Sequence, residues 1–438
     1  MASIPIRSVR QRRLFQLRLF LDGILTGILA GLSVALYRFL IEEAEAARGA
    51  LYASHLVPSL LAGDILPLIF WFLFLALAAA LLSWMCRFEP MASGSGIPQV
   101  KGVLLGRFAM RWARVLSVQI FGGALAIGAG LSLGHAGPAV QIGAASAEGF
   151  CALSRLRRIE ARYLFAGGAG AGLSAVFNAP LSGLLFILEI LPHNLSAALL
   201  LPAMAAASSA ALVIRFFFGD GTIFHFTNML PLPAGHILYA AGIAAVAGAA
   251  AVPFNSGLIR VRRLYQLPFL NHPYRRIACP LFLAGILGFV MPPILGGGEG
   301  LVNALLSGQP DFSTLLFLLA AKAAFTLLSF GSGVPGGFFF PSLVIGAMTG
   351  AATGSLLISA GAFPPEYMTN CIILSMAAFF AGSVRAPITG AALLLEMTGD
   401  FQHLLFLTMA AAIGYTVSGL LGSAPIYDAL LQRLPRRK

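Results

Sequence analysis

Eleven apolar runs lie along this chain, and glycine or proline interrupts most of them. They fall near 19–40, 65–85, 115–133, 164–191, 197–217, 237–252, 279–294, 315–330, 341–360, 371–395 and 404–421. A simple helical span needs about 20 apolar residues, and several of these runs are shorter. Broken helices persist in a bilayer only where the freed backbone is buried in protein or lines a cavity. The pattern therefore points to transport rather than to anchoring, in an all-α integral membrane protein.

Composition agrees. The 438 residues are 58% hydrophobic and 10% charged, against about 25% charged in a soluble domain, and the mean hydropathy is +0.88. No cleavable signal peptide is expected. The arginine-rich start leads into a run that is too long and lacks a small-residue cleavage site. The net charge of +12 does not imply nucleic acid, because it is concentrated beside apolar runs. Arg7, Arg10, Arg12, Arg13 and Arg18 precede the first run, and Arg433, Arg436, Arg437 and Lys438 close the chain. Arg155, Arg157, Arg158 and Arg162 form a third cluster, and Arg260, Arg262 and Arg263 a fourth. Basic flanks orient a membrane protein with its positive side in the cytoplasm, so both termini are expected there. Cys86, Cys151, Cys279 and Cys371 have no metal-ligand spacing and read as small hydrophobes. No metal and no cofactor are expected.

The chain contains an internal repeat. The stretch 137–144 (GPAVQIGA) matches 340–347 (FPSLVIGA). Some forty residues later, 178–183 (NAPLSG), followed by Glu189, matches 385–390 (RAPITG), followed by Glu396. Transporters often consist of two repeats with the binding site at their interface. The expected organisation is a basic segment 1–18, a first repeat 19–217, a connecting loop 218–234, a second repeat 235–424 and a terminal segment 425–438.

Three glycine-rich loops lead into helices: Gly94-Ser95-Gly96-Ile97-Pro98, Gly134-His135-Ala136-Gly137-Pro138, and 333–341 (GVPGGFFFP). In each a proline stands in the first helical turn, where a missing N–H is tolerated. The glycines let the backbone take unusual angles and approach a ligand. Free N–H groups and the positive dipole end then attract an anion. Several weak sites suit permeation, being tight enough to enter and loose enough to leave.

These loops resemble the signature motifs of the CLC family of chloride channels and anion–proton exchangers, which show GSGIP, GREGP and GGxFxP in that order. Residues 94–98 and 337–341 match intact, 134–138 is altered, and 178–183, 322–336 (KAAFTLLSFGSGVPG) and Pro425-Ile426-Tyr427 match as well. The resemblance implies an inverted repeat of tilted, broken helices and a homodimer with one pathway per subunit, in a bacterial inner membrane. It implies a central chloride site formed by the Ser95 loop with its flanking Gly94 and Gly96. The hydroxyls of Ser95 and Tyr427 and the N–H groups of Phe338 and Phe339 would coordinate the ion. The backbone of His135, Ala136 and Gly137 would serve an outer site. Serine at 95 fits the chloride-preferring branch. Without the other motifs, Ser95 would read as a helix cap and Tyr427 as an interfacial aromatic.

Two departures bear on mechanism. In the family the glutamate of the GREGP loop gates the pathway and carries the proton; here the position is Ala136. Exchangers show a second acid after the NAPL-type block; here Glu189 is followed by Ile190. Both ends of the proton route are missing, so the first expectation is a passive chloride channel or an uncoupled transporter. The alternative is a chloride/proton antiporter with a route through His135, which titrates near neutrality in water, or through Glu189. An intramembrane acid is a functional candidate by default, although Glu189 and Glu396 also suit a structural role near helix ends. Lys101 and Lys322 could enrich the anion entrance or snorkel. An intramembrane enzyme is disfavoured: there is no HExxH, and no GxSxG in a strand–helix setting.

Overall fold

A computed structural model describes residues 9–191, 199–221, 224, 229–308 and 310–434, with side chains from 13 onward. Arg7, Arg436, Arg437, Lys438 and the side chains of Arg10 and Arg12 lie outside the described residues, as does the start of the run expected from 197. The described chain is helical. The main helices of the first half are α1 (Val9–Leu51), α2 (Leu66–Phe88), α3 (Ile97–Leu104), α4 (Trp112–Gly128), α5 (Ala136–Leu153), α6 (Arg158–Phe177), α7 (Pro180–Ile190) and α8 (Leu200–Phe218). Those of the second are α9 (Ile237–Leu264), α10 (Pro273–Val290), α11 (Glu299–Ser307), α12 (Phe312–Gly331), α13 (Phe339–Ser359), α14 (Met368–Val384), α15 (Pro387–Thr398), α16 (Leu404–Leu420) and α17 (Ile426–Gln432). Among the described residues, nine helices are long and apolar enough to cross a bilayer. On α2, Phe70, Leu73, Leu77 and Leu81 are exposed while Leu75, Ala79 and Leu82 are buried. An apolar outer face of that kind suits lipid rather than water.

The packing repeats itself. In the first half α1, α5, α6, α7 and α8 form one bundle, with α5 on α6, α6 on α8 and α8 on α1. In the second half α9, α13, α14, α15 and α16 repeat those contacts, and α7 meets α15 where the halves join. Lipid offers little drive for apolar association, so such helices pack through small residues. Gly27 of α1 lies so close to α8 that a Cβ there would stand 2.2 Å from the Ala206 carbonyl oxygen.

Two expected spans are each two helices. The run 164–191 breaks after Phe177, and 371–395 breaks after Val384. Asn178 (φ 51°) and Arg385 (φ 66°) occupy the left-handed region at the equivalent point of each repeat. Each ends its helix by donating its N–H, to Ser174 O and Ala381 O respectively. Pro180 and Pro387 then stand at the first position of the next helix. The left-handed residue reverses the chain and the proline admits only a new start. The first span is also longer than expected, because the charged segment 41–51 stays helical: Arg38 and Arg48 pair with Glu42 and Glu45 along its surface.

Candidate functional site

Backbone hydrogen bonds bring the three glycine loops to one place. Gly94 N donates to Val334 O (3.1 Å), and Gly336 N donates to Gly94 O (3.2 Å). Gly134 and Gly337 exchange bonds of 2.6 and 2.8 Å. The loop at 333–341 thus lies between the other two and ties them together. Helices α3, α5 and α13 all begin here, each with a proline in its first turn, as expected. Gly96 holds a φ of 82°, which a side chain would strain. Gly137 is required by proximity: a Cβ there would stand 2.2 Å from the Ser95 carbonyl oxygen.

The residues expected to form a central site lie together. Ser95, Phe338, Phe339 and Tyr427 are all buried. The Tyr427 ring lies 5.4 Å from that of Phe338, and its hydroxyl faces that of Ser95. Among the described residues neither hydroxyl has a partner at hydrogen-bonding distance, and the nearest polar group to each is the other hydroxyl. Leaving a buried hydroxyl unpaired costs roughly 1–3 kcal/mol, a cost that a small anion accepting from both would remove. Phe338 caps α13 and Phe339 opens it, positions whose N–H groups have no partner within the helix. The set is therefore a pair of hydroxyl donors beside a helix N-terminus. That suits an anion which must also leave.

His135 caps α5, and Ala136 and Gly137 open it. Ala136 is fully buried, and its methyl group carries neither charge nor proton. The His135 ring leans on Phe340 (centroids 5.2 Å apart) and Phe177 (6.2 Å). Its Nε2 lies 3.9 Å from Glu299 Oε1. Ile190 is buried at the end of α7.

Glu189 and Glu396 join the two repeats. Glu189 accepts from Ile388 N (3.1 Å), Thr389 N (2.7 Å) and Thr389 Oγ1 (2.7 Å) at the start of α15. Glu396 accepts from Leu181 N (2.9 Å), Ser182 N (2.7 Å) and Ser182 Oγ (2.5 Å) at the start of α7. Each repeat's acid caps the other repeat's helix, the arrangement a two-fold relation produces. Their carboxylates hold helix ends. Lys322 does not snorkel. It is fully buried, and its Nζ donates to the carbonyls of Ile294 and Gly296 (both 2.9 Å), fixing the loop before α11. Lys101 pairs with Asp428 at 2.6 Å, which ties α3 to the tyrosine-bearing α17.

Sequence reasoning missed two features of this region. Gln141 of α5 donates to Met91 O (2.8 Å), and Gln119 of α4 donates both to the Gln141 side chain and to Ala92 O (3.1 Å), bracing the segment before the Ser95 loop. Two buried amides in apolar helices were the available signal. The other is Glu299, whose only mark was an acid directly after three glycines.

A family model described as "Voltage gated chloride channel" matches residues 75–419. The H(+)/Cl(-) exchange transporter ClcA of Yersinia pestis bv. Antiqua (strain Angola) is 35% identical over 357 residues, which cover 79% of this chain and 74% of the relative. ClcA of Salmonella agona (strain SL483) is 35% identical over 358 residues, covering 79% and 75%. Among solved structures, a slow cyanobacterial Cl-/H+ antiporter superimposes with a TM-score of 0.88 at 30% identity, covering 95% of this chain and 97% of that one. A CLC-type fluoride/proton antiporter superimposes at 0.76 with 23% identity, covering 92% and 95%, a likeness of fold. The chain belongs to the CLC family of voltage-gated chloride channels and chloride transporters, as an integral membrane protein and not an enzyme.

Proposed function

We propose that this chain moves chloride across the membrane in exchange for protons, by a proton route that departs from the family's usual one. The observation that carries the chloride assignment is the unpartnered, buried hydroxyl pair of Ser95 and Tyr427 beside the opening turn of α13. We assign Gly94, Ser95, Gly96, Phe338, Phe339 and Tyr427 to a central anion site, and the backbone of His135, Ala136 and Gly137 to an outer one. Exchange is favoured over the passive pathway first expected from the sequence because the relatives just described are named as proton-coupled. Of the two substitute carriers, Glu189 is committed to capping α15, which leaves His135 at the outer site.

The second reading, an uncoupled chloride pathway, is favoured by Ala136 and Ile190, neither of which can carry a proton. Full-length protein in liposomes separates the two. With a chloride gradient imposed, chloride and proton fluxes are recorded together. Protons driven uphill in fixed proportion support exchange; chloride flux without proton movement supports the uncoupled reading. No chloride flux would overturn both. We further propose a homodimer with one pathway per subunit, in a bacterial inner membrane. Both termini would be cytoplasmic, on the strength of the basic flanks at Arg13, Arg18 and Arg433.

A further inference from the structure

A recess of about 540 Å³ opens onto His135. Arg38, Glu42, Glu45 and Arg48 of α1 line one wall; Glu299 at the start of α11 lines another. Lys322 of α12 stands behind the glycines that precede Glu299, held by backbone carbonyls. Within α1 the charges pair off: Arg38 with Glu42 at 2.6 Å, and Arg48 with Glu45 at 3.4 Å. Glu299 has no such partner among the described residues, its nearest basic group being the His135 ring at 3.9 Å. The two arginines and three glutamates that line the recess sum to one negative charge, and that charge is Glu299.

We propose that Glu299 controls anion access to the outer site: ionised, it repels anions from the mouth at His135, and protonated, it admits them. This rests on the reading that anions pass His135, and it does not depend on whether chloride flux is coupled to protons. The side chain is 49% exposed, so it exchanges protons with the water of the recess. Burial by the recess raises its carboxyl toward about 7, with Glu45 and Glu42 adding to the shift and Arg38 opposing it, while the water that reaches half of the side chain tempers that rise. The proton is therefore bound in acid solution and released as the pH rises. A change of one charge at the mouth of a low-dielectric cleft changes local anion concentration by about tenfold or more.

The test uses full-length protein in liposomes, with equal pH on both sides so that no proton gradient exists. Chloride efflux is measured from pH 5.5 to 8.5. Wild type is expected to speed up about tenfold on acidification, with a midpoint above the ordinary carboxylate range and no higher than about 7. E299Q should lose this step and stay at the acid rate throughout. E299D should keep a step with a displaced midpoint, and it carries the test if E299Q does not fold. A wild-type profile without a step, a step retained in E299Q, or a step lost in folded E299D would overturn this inference alone. Absence of chloride flux at every pH would overturn the transport reading with it.

Discussion

Replacing Glu189 by glutamine separates a structural acid from a proton carrier. Its carboxylate accepts two backbone N–H groups and the Thr389 hydroxyl at the N-terminus of α15. Hydrogen bonds to a charged group are each worth about 1.5–3 kcal/mol net, and the helix dipole adds up to about 2 kcal/mol in partly buried settings. Glutamine keeps one acceptor oxygen and turns an amide donor toward the N–H groups. The expected loss is therefore about 3 kcal/mol. At about 2.1 cal/mol/K per residue, a chain of 438 residues has an unfolding entropy of about 0.9 kcal/mol/K. Glu189→Gln should accordingly lower Tm by about 3 °C in detergent. Glu396→Gln should do the same, because it makes the matching set of bonds to Leu181 and Ser182. The ratio of proton to chloride flux should be unchanged in both. An unaltered Tm for Glu189→Gln together with an altered proton ratio would refute the capping argument and return Glu189 to the proton route.

Other consequences follow from the loops. Gly137→Ala places a Cβ 2.2 Å from the Ser95 carbonyl oxygen, so the Ser95 loop must shift; chloride affinity by calorimetry should fall by about tenfold, the equivalent of ~1.4 kcal/mol. Tyr427→Phe removes one buried, unpartnered hydroxyl; it should weaken chloride binding by about ten- to a hundredfold, the range of one hydrogen bond to a charged group, with no loss of Tm. Ser95→Pro removes the serine donor and should raise the nitrate-to-chloride flux ratio; an unchanged ratio would mean that the Ser95 loop does not line the site. Ala136→Glu should slow chloride efflux at neutral pH, since its carboxylate would compete with the anion, and acid should relieve the block because the neutral form does not compete.

Legibility in the sequence followed the range over which each cause acts. The three loops could be located because glycine and proline act on their own backbone: the prolines at 98, 138 and 341 each fall in a first helical turn. The repeat could be aligned for the same reason, since its marks are local motifs in matching order. The breaks at Asn178 and Arg385 were not seen. Neither residue is a glycine, and each is held left-handed partly by a distant side-chain contact. Asn178 accepts from Arg215 Nε at 3.0 Å, and the Arg385 guanidinium lies 3.8 Å from the centre of the Tyr415 ring. Lys322 looked like a snorkelling cation because its run is apolar. Its partners, Ile294 O and Gly296 O, are backbone atoms with no sequence signature.

The paired caps show why breaking the helices twice leaves a stable fold. A helix that ends inside a bilayer leaves N–H groups that lipid cannot satisfy. At α3, α5 and α13 the cap residue's side chain accepts from none of those groups, the arrangement that the proposed anion sites require. At α7 and α15 they are satisfied instead by Glu396 and Glu189, so these ends offer nothing to a passing ion. The same local device, a proline-led helix start within the membrane, thus serves two purposes, and a carboxylate from the opposite repeat decides which. A glutamate introduced near a free start should convert it from a site into a cap. That is the physical content of Ala136→Glu, and it explains why a chain with alanine at 136 needs some other group at the mouth if access is to depend on pH. Glu299 stands in that place, supplied by the second repeat to a helix start of the first.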